Sequence, residues 1–187
     1  MSDLIFASGN THKYDEARAI LAPFGVNLRL RKCDIEELQT TDIHRLTSAK
    51  CREAYSIVGR PLFVEHTSLQ NLAYGGFPGG LTSIFLETVG LTGACELLGR
   101  PGANQARAVT VIGYTNGSSV ELFEGSIDGE ILKAPTVADT DWKKFGWNAI
   151  FRPATYKESL AQLGPAEKNR ISMRKVALEK LMARIQP

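Results

Sequence analysis

Glu65, His66, Thr67 and Ser68 follow directly on the apolar run Leu62-Phe63-Val64. An acid, an imidazole and two hydroxyls side by side could move a proton or hold a cation. The apolar run reads as a buried strand with these groups at its end, where open α/β sheets place their ligands. Gly75-Gly76-Phe77-Pro78-Gly79-Gly80 comes next. Its four glycines around one proline allow a sharp turn or a close approach of backbone to a ligand. A strand followed by an ordinary surface loop would show the same pattern.

Three other stretches carry charge in useful places. Ser8-Gly9-Asn10-Thr11 separates the apolar strand Leu4-Ile5-Phe6-Ala7 from a helix over 12–21, with Ala17, Ile20 and Leu21 on one face. A strand, a glycine turn and a helix N-terminus make a plausible anion site. Lys13, in the first turn, opposes the helix-dipole preference; an anionic ligand would explain it, and so would simple solvation. Asp34, Glu36 and Glu37 cluster beyond a second strand over 26–30. They suit the hard oxygen chemistry of Mg²⁺, or form a solvated acidic loop. Lys168, Arg170, Arg174 and Lys175 surround the start of the last helix. They suit phosphate oxygens, or mark a solvated basic helix end. The aromatic-rich run Phe145-Gly146-Trp147-Asn148-Ala149-Ile150-Phe151 reads equally as a wall for a base or as a small satellite core.

The elements that would position these groups follow from periodicity. A helix is expected over 43–58, capped by Thr41 or Asp42, and the first helix has Ser8, Asn10 or Thr11 as its cap. Further helices are expected over 82–90 and 92–98. A strand over 106–114 turns at Asn116-Gly117 into a partner over 120–127, with 129–132 continuing the sheet. A short helical piece is expected over 157–163. The last helix, over 172–185, has Met173, Val176, Ala177, Leu181 and Met182 on its apolar face.

The 187 residues suffice for a sizeable core, and 43% hydrophobic with 22% charged residues is a globular composition rather than a disordered one. A net charge of +2 is too mild to argue for nucleic acid. No apolar run reaches the length of a membrane span. Cys33, Cys51 and Cys95 form no CxxC and are odd in number, as expected of free thiols in a reducing compartment. With no secretory signal pattern at the start, a cytoplasmic location is expected.

Five blocks, SGNTHKYDEA, LFVEHTSL, GGFPGG, FGWNAIFRP and AEKNRISMRK, stand in this order along nearly the whole chain. Together they resemble the Ham1-type inosine triphosphate pyrophosphatase family. The resemblance implies an α/β fold: an elongated, mixed, twisted sheet with surrounding helices, residues 1–187 forming one domain with two lobes and a central nucleotide cleft. It implies a homodimer that hydrolyses ITP, dITP or XTP to the monophosphate and pyrophosphate with Mg²⁺. By motif position, Ser8, Asn10 and Lys13 belong to the triphosphate corner, and Lys50 falls on a lysine position of the family. Glu37 and Glu65 fall to the metal, and Glu65 and His66 to the chemistry. Phe145, Gly146, Trp147 and Asn148 belong to the purine-binding segment. Lys168 serves the base or the phosphates, and Ser172, Met173 and Arg174 the base carbonyl region.

Three positions depart from the family motifs. Its central acidic pair is here Glu65-His66, its FGWD ends in Asn148, and its Ser-His-Arg is Ser172-Met173-Arg174. These departures lead to the expectation of a protein that binds or senses deaminated purine triphosphates. Hydrolysis would be weak or lost, the Mg²⁺ site weakened, and a protein effector the partner, with neither nucleic acid nor membrane involved. The alternative is an active pyrophosphatase in which Glu37 and Glu65 hold the metal, Asp34 lies nearby and His66 assists the water.

Overall fold

The computed structural model describes residues 3–137 and 146–186. The short apolar strand β1 (Asp3–Ala7) pairs in parallel with β2 (Asn27–Arg31) and with β3 (Leu62–Asn71). The helices α1 (Thr11–Leu21) and α2 (Ile43–Val58) make the two crossovers that parallel pairing requires. Both start where their caps put them. Asn10 accepts from the Lys13 N–H at 3.1 Å, and Asp42 accepts from the His44 and Arg45 N–H groups at 3.0 Å each.

The second half of the sheet is antiparallel. β5 (Gln105–Thr115), β6 (Val120–Ile131) and β7 (Phe151–Pro153) extend it in the order β2-β1-β3-β5-β6-β7, and the two-residue β4 (Pro78–Gly79) pairs beside β3. Among the described residues the result is a mixed seven-stranded sheet with five helices. The remaining helices are α3 (Thr82–Leu98), kinked at Gly90, α4 (Pro165–Ile171) and α5 (Met173–Ile185).

β3 departs from the sequence reading in a way that decides the site. It does not stop at Val64. β5 pairs with it from Leu62↔Thr115 through Asn71↔Ala106, so Glu65 to Ser68 lie inside the strand, not beyond its end. Side chains therefore alternate between the two faces of the sheet. Phe63 stacks on Phe6, 4.5 Å between ring centroids, and packs with Leu178 and Leu181 of α5. Val64 packs instead with Cys51 and Ala54 of α2. Glu65 shares the α5 face with Phe63, whereas His66 shares the α2 face with Val64.

Other expectations shift for similar reasons. Residues 157–163 form turns, not a helix, because the N–H groups of Leu160 and Ala161 donate to the distant carbonyls of Phe151 and Asn148, both at 3.0 Å. The basic approach to the last helix is itself the helix α4. Val176 of α5 stays exposed, and Leu178 takes its place in the core. The close backbone approach at the glycine turn is to the chain itself. A Cβ on Gly79 or Gly80 would lie 2.4 or 2.3 Å from the carbonyl oxygens of Thr41 and Thr40.

Gly125 of β6 seats α5 in the same manner. A Cβ there would come 2.0 Å from the Met173 carbonyl oxygen and 2.8 Å from the Ala177 nitrogen. Both are backbone atoms that cannot swing aside. Gly125→Ala is expected to destabilise the fold by roughly 1–3 kcal/mol, the usual cost of overpacking. A urea midpoint equal to that of the wild type would contradict this seating of α5.

Candidate functional site

Glu65 is only 2% exposed and is bound on every side by cations and donors. Arg174, in the first turn of α5, donates from Nε to Oε2 at 2.6 Å and from Nη2 to Oε1 at 2.9 Å. Thr67 Oγ1 donates to Oε1 at 2.8 Å, and the Lys13 ammonium lies 3.3 Å from the same oxygen. Ser172 caps α5 by accepting from the Lys175 N–H at 3.2 Å, which fixes the turn that carries Arg174. Arg174 also pairs with Glu16 of α1, and Glu16 accepts from Lys168 at 2.7 Å. Burial alone would raise the Glu65 pKa. The Arg174 guanidinium and the Lys13 ammonium more than reverse this and hold the carboxyl well below the usual range.

A second group lies on the α2 face. His66, 6% exposed, places Nδ1 3.6 Å from Glu37 Oε2, too long for a hydrogen bond. Among the described residues its buried Nε2 has no partner. Lys50 of α2 reaches Glu37 Oε1 at 2.5 Å and the Glu65 carbonyl oxygen at 3.4 Å. Burial, then the Lys13 ammonium, lower the His66 pKa to about 4, so the imidazole is neutral at pH 7.

The expected pairing of Glu37 with Glu65 as metal ligands does not form. Glu37 meets His66 and Lys50, while Glu65 meets Arg174 and Lys13, because neighbouring residues of β3 face opposite ways. Nor do the other acids converge, since Asp34 and Glu36 stay exposed. Among the described residues no three His, Cys, Asp or Glu side chains are grouped to hold a metal. Mg²⁺ wants oxygen donors and tolerates nitrogen poorly. One carboxylate already paired with a lysine, beside an imidazole, does not fit it.

The buried neutral imidazole has a consequence for acid stability. The folded pKa of His66 lies below its unfolded value near 6.5. Between these values the unfolded chain binds more protons, so stability falls as pH falls. The expected loss from pH 7 to pH 5 is at most about 2 kcal/mol. His66→Gln should flatten that part of the profile, read as melting temperature against pH. An equal slope in both proteins would contradict the assignment.

Beside the Glu65 cluster opens a cavity of about 200 Å³. Asn10, Lys13 and Glu16 of α1 line one side, and Gly146, Trp147 and Asn148 another. Lys168, Ser172, Met173 and Arg174 close it. The sequence pattern of the Ham1 family matches residues 4–184, from β1 through α5.

The chain belongs to the Ham1 family.

It is similar to a protein of Yarrowia lipolytica described as an inosine triphosphate pyrophosphatase, 37% identical over 180 residues that span 95% of this chain and 93% of that protein. A dITP/XTP pyrophosphatase of Methanopyrus kandleri is 33% identical over 178 residues, 95% of this chain and 93% of its own. The solved structure of a HAM1 protein from Coxiella burnetii shares the fold, with a TM-score of 0.82 at 24% identity, covering 99% of this chain and 98% of that one.

In this Ham1 chain the structure gathers most, but not all, of the expected residues. Ser8 is absent from the cavity lining; its hydroxyl accepts from the Asn10 N–H at 3.1 Å and shapes the turn before α1. Glu37, Lys50, Glu65 and His66 form the adjoining strand crossing rather than the lining. Phe145 lies outside the described residues. Trp147 serves both sequence readings: it lines the cavity, yet it is 8% exposed and meets Phe151 edge-on at 5.8 Å within the core. Glu16 was not foreseen, and Thr67, named only within the polar run 65–68, lines the cavity as well. Glu16 stands three residues after Lys13, hence on the same helix face, and that spacing was its one visible signal.

Proposed function

We propose that this Ham1 chain binds deaminated purine nucleoside triphosphates (ITP, dITP or XTP) in the cavity and hydrolyses them slowly, as a nucleotide-binding or sensing protein. One observation carries the slow chemistry. The acids at the crossing are already held by the chain's own cations: Glu65 by Arg174 and Lys13, Glu37 by Lys50, and Glu16 by Lys168 and Arg174. The base would lie against Trp147, Asn148 and Met173, and the phosphates toward Lys13 and the N-terminus of α1.

Release of pyrophosphate needs a water aimed at the α-phosphorus and a group to take its proton. A general base works best with a pKa near the operating pH, and an imidazole depressed to about 4 grips a proton weakly at pH 7. The Asn148 amide and the Met173 thioether are not bases. Because the residues present do not fit Mg²⁺, no step is assigned to it. A homodimer and an effector protein that reads the bound state belong to the same proposal. So do a single two-lobed domain over 1–187 and a reducing cytoplasm; the described cysteines are free thiols. Among the described residues no helix is long and apolar enough to cross a membrane.

The names borne by the Yarrowia and Methanopyrus relatives favour a second reading, an active pyrophosphatase. His66 would then take the proton, and His66→Ala would abolish turnover while leaving binding intact. Calorimetry with ITP, dITP, XTP and ATP tests the primary reading. Binding of the deaminated nucleotides in preference to ATP supports it. No heat of binding at millimolar nucleotide, from folded protein, rejects both readings.

A further inference from the structure

We infer that the open edge of β2 is a docking site for an acidic, extended segment of a partner protein, which adds to the sheet as a further strand. The inference stands on this edge alone and goes beyond the nucleotide reading.

β2 is the outermost strand of the sheet, paired with β1 on one side and with no strand on the other among the described residues. The unpaired backbone groups of such an edge are a template for another chain. The register sets Arg29 beside Ile5 and Arg31 beside Ala7. Ile5 and Ala7 pack with Cys51 and Ala54 of α2, so both arginines stand on the α2 face of the sheet. A groove of about 350 Å³ opens there. Arg29, Arg31 and Arg60 line it together with the apolar Ile5, Leu30 and Val58.

The charge of this groove is largely unanswered. Arg29 pairs with Asp3 at 2.9 Å, whereas Arg31 and Arg60 have no ion-pair partner among the described residues. Among the described residues no carboxylate lines the groove. Charged side chains on an edge strand also guard it against pairing with its own kind. That role does not account for Arg60, which comes from the connection between α2 and β3 and not from the strand. An added strand sends alternate side chains to the α2 face. Carboxylates two residues apart on it match the spacing of Arg29 and Arg31, and a guanidinium can hold each of them bidentately.

Fluorescence anisotropy with short labelled peptides tests this on the wild-type protein. A peptide alternating valine and glutamate is expected to bind at least about tenfold tighter than one alternating proline and glutamate. The second carries the same charge, but its prolines have no N–H to give to a ladder. Arg31→Glu with Arg60→Glu should weaken the valine–glutamate peptide at least about tenfold. Circular dichroism checks that this variant is folded. Should it fail to fold, Arg60→Gln alone carries the test, with an expected weakening of about threefold.

Equal binding of the two peptides overturns strand addition and leaves plain charge attraction in its place. Undiminished binding by a folded arginine variant overturns the location. No binding of the valine–glutamate peptide at millimolar concentration and low salt overturns the docking site. None of these outcomes touches the nucleotide reading, which calorimetry on the cavity tests separately.

Discussion

The combined replacement His66→Asp, Asn148→Asp and Met173→His is expected to raise pyrophosphate release from dITP by roughly 10²–10⁴-fold, the usual worth of a positioned proton-transfer group. The first change puts an oxygen acid beside Glu37, where Nδ1 of the imidazole now stands 3.6 Å from that carboxylate. Such a pair suits Mg²⁺, so the gain should appear with magnesium present. The second returns a carboxylate to the cavity wall. The third is the most demanding on the fold, because Met173 is buried at the start of α5. His66→Asp with Asn148→Asp therefore serves as a companion variant. The single changes need not add, since groups that act as one unit are coupled. No gain in a variant shown to be folded and nucleotide-bound would reject the three positions as the cause of slow chemistry.

The second large effect concerns stability. Arg174→Met leaves the Glu65 carboxylate buried with Lys13 and Thr67 as its remaining partners among the described residues. Removing one member of a buried ion pair costs about 3–5 kcal/mol, read as the shift in urea midpoint. Replacing both residues, Glu65→Leu with Arg174→Met, should recover much of that loss, since no buried charge is then stranded. The pH dependence has a definite sign. The folded carboxyl of Glu65 titrates below its unfolded value. Its contribution is full above the unfolded pKa, about 4.3, and is lost as pH falls beneath it. The wild type should therefore lose stability below about pH 4, further than the double variant does. A cost below about 1 kcal/mol for Arg174→Met would match an exposed pair instead.

What the sequence made legible was mostly local. Ser8, Asn10 or Thr11 and Thr41 or Asp42 were legible as cap candidates, and of these Asn10 and Asp42 accept from N–H groups two or three residues on. The Asn116-Gly117 turn closes the β5–β6 hairpin at Thr115↔Val120. Lys13, Lys168, Ser172 and Arg174 fell in motifs and do converge on the cavity.

What escaped depended on partners far along the chain. The polar run 65–68 looked like the end of a strand, and only pairing with β5 carries β3 onward to Asn71. That extension separates Glu65 from His66, which adjacency in sequence had joined. Glu16 meets Arg174 across 158 positions, a contact that no local pattern contains. Residue pattern alone did not separate Asp34, Glu36 and Glu37; motif position singled out Glu37, and it is the one that meets Lys50 and His66. Residues 157–163 lack a helix because carbonyls of Phe151 and Asn148 take up their N–H groups.

The most direct test of the account follows the fate of bound nucleotide. Labelled dITP is mixed with excess wild-type protein and magnesium, and quenched samples are assayed for intact dITP and pyrophosphate over time. The account predicts that dITP is bound at once and recovered largely intact, with a first-order rate far below 1 per second, the lower end of ordinary enzyme turnover. Conversion of the bound dITP at about 1–10³ per second would contradict it and establish the active pyrophosphatase in its place.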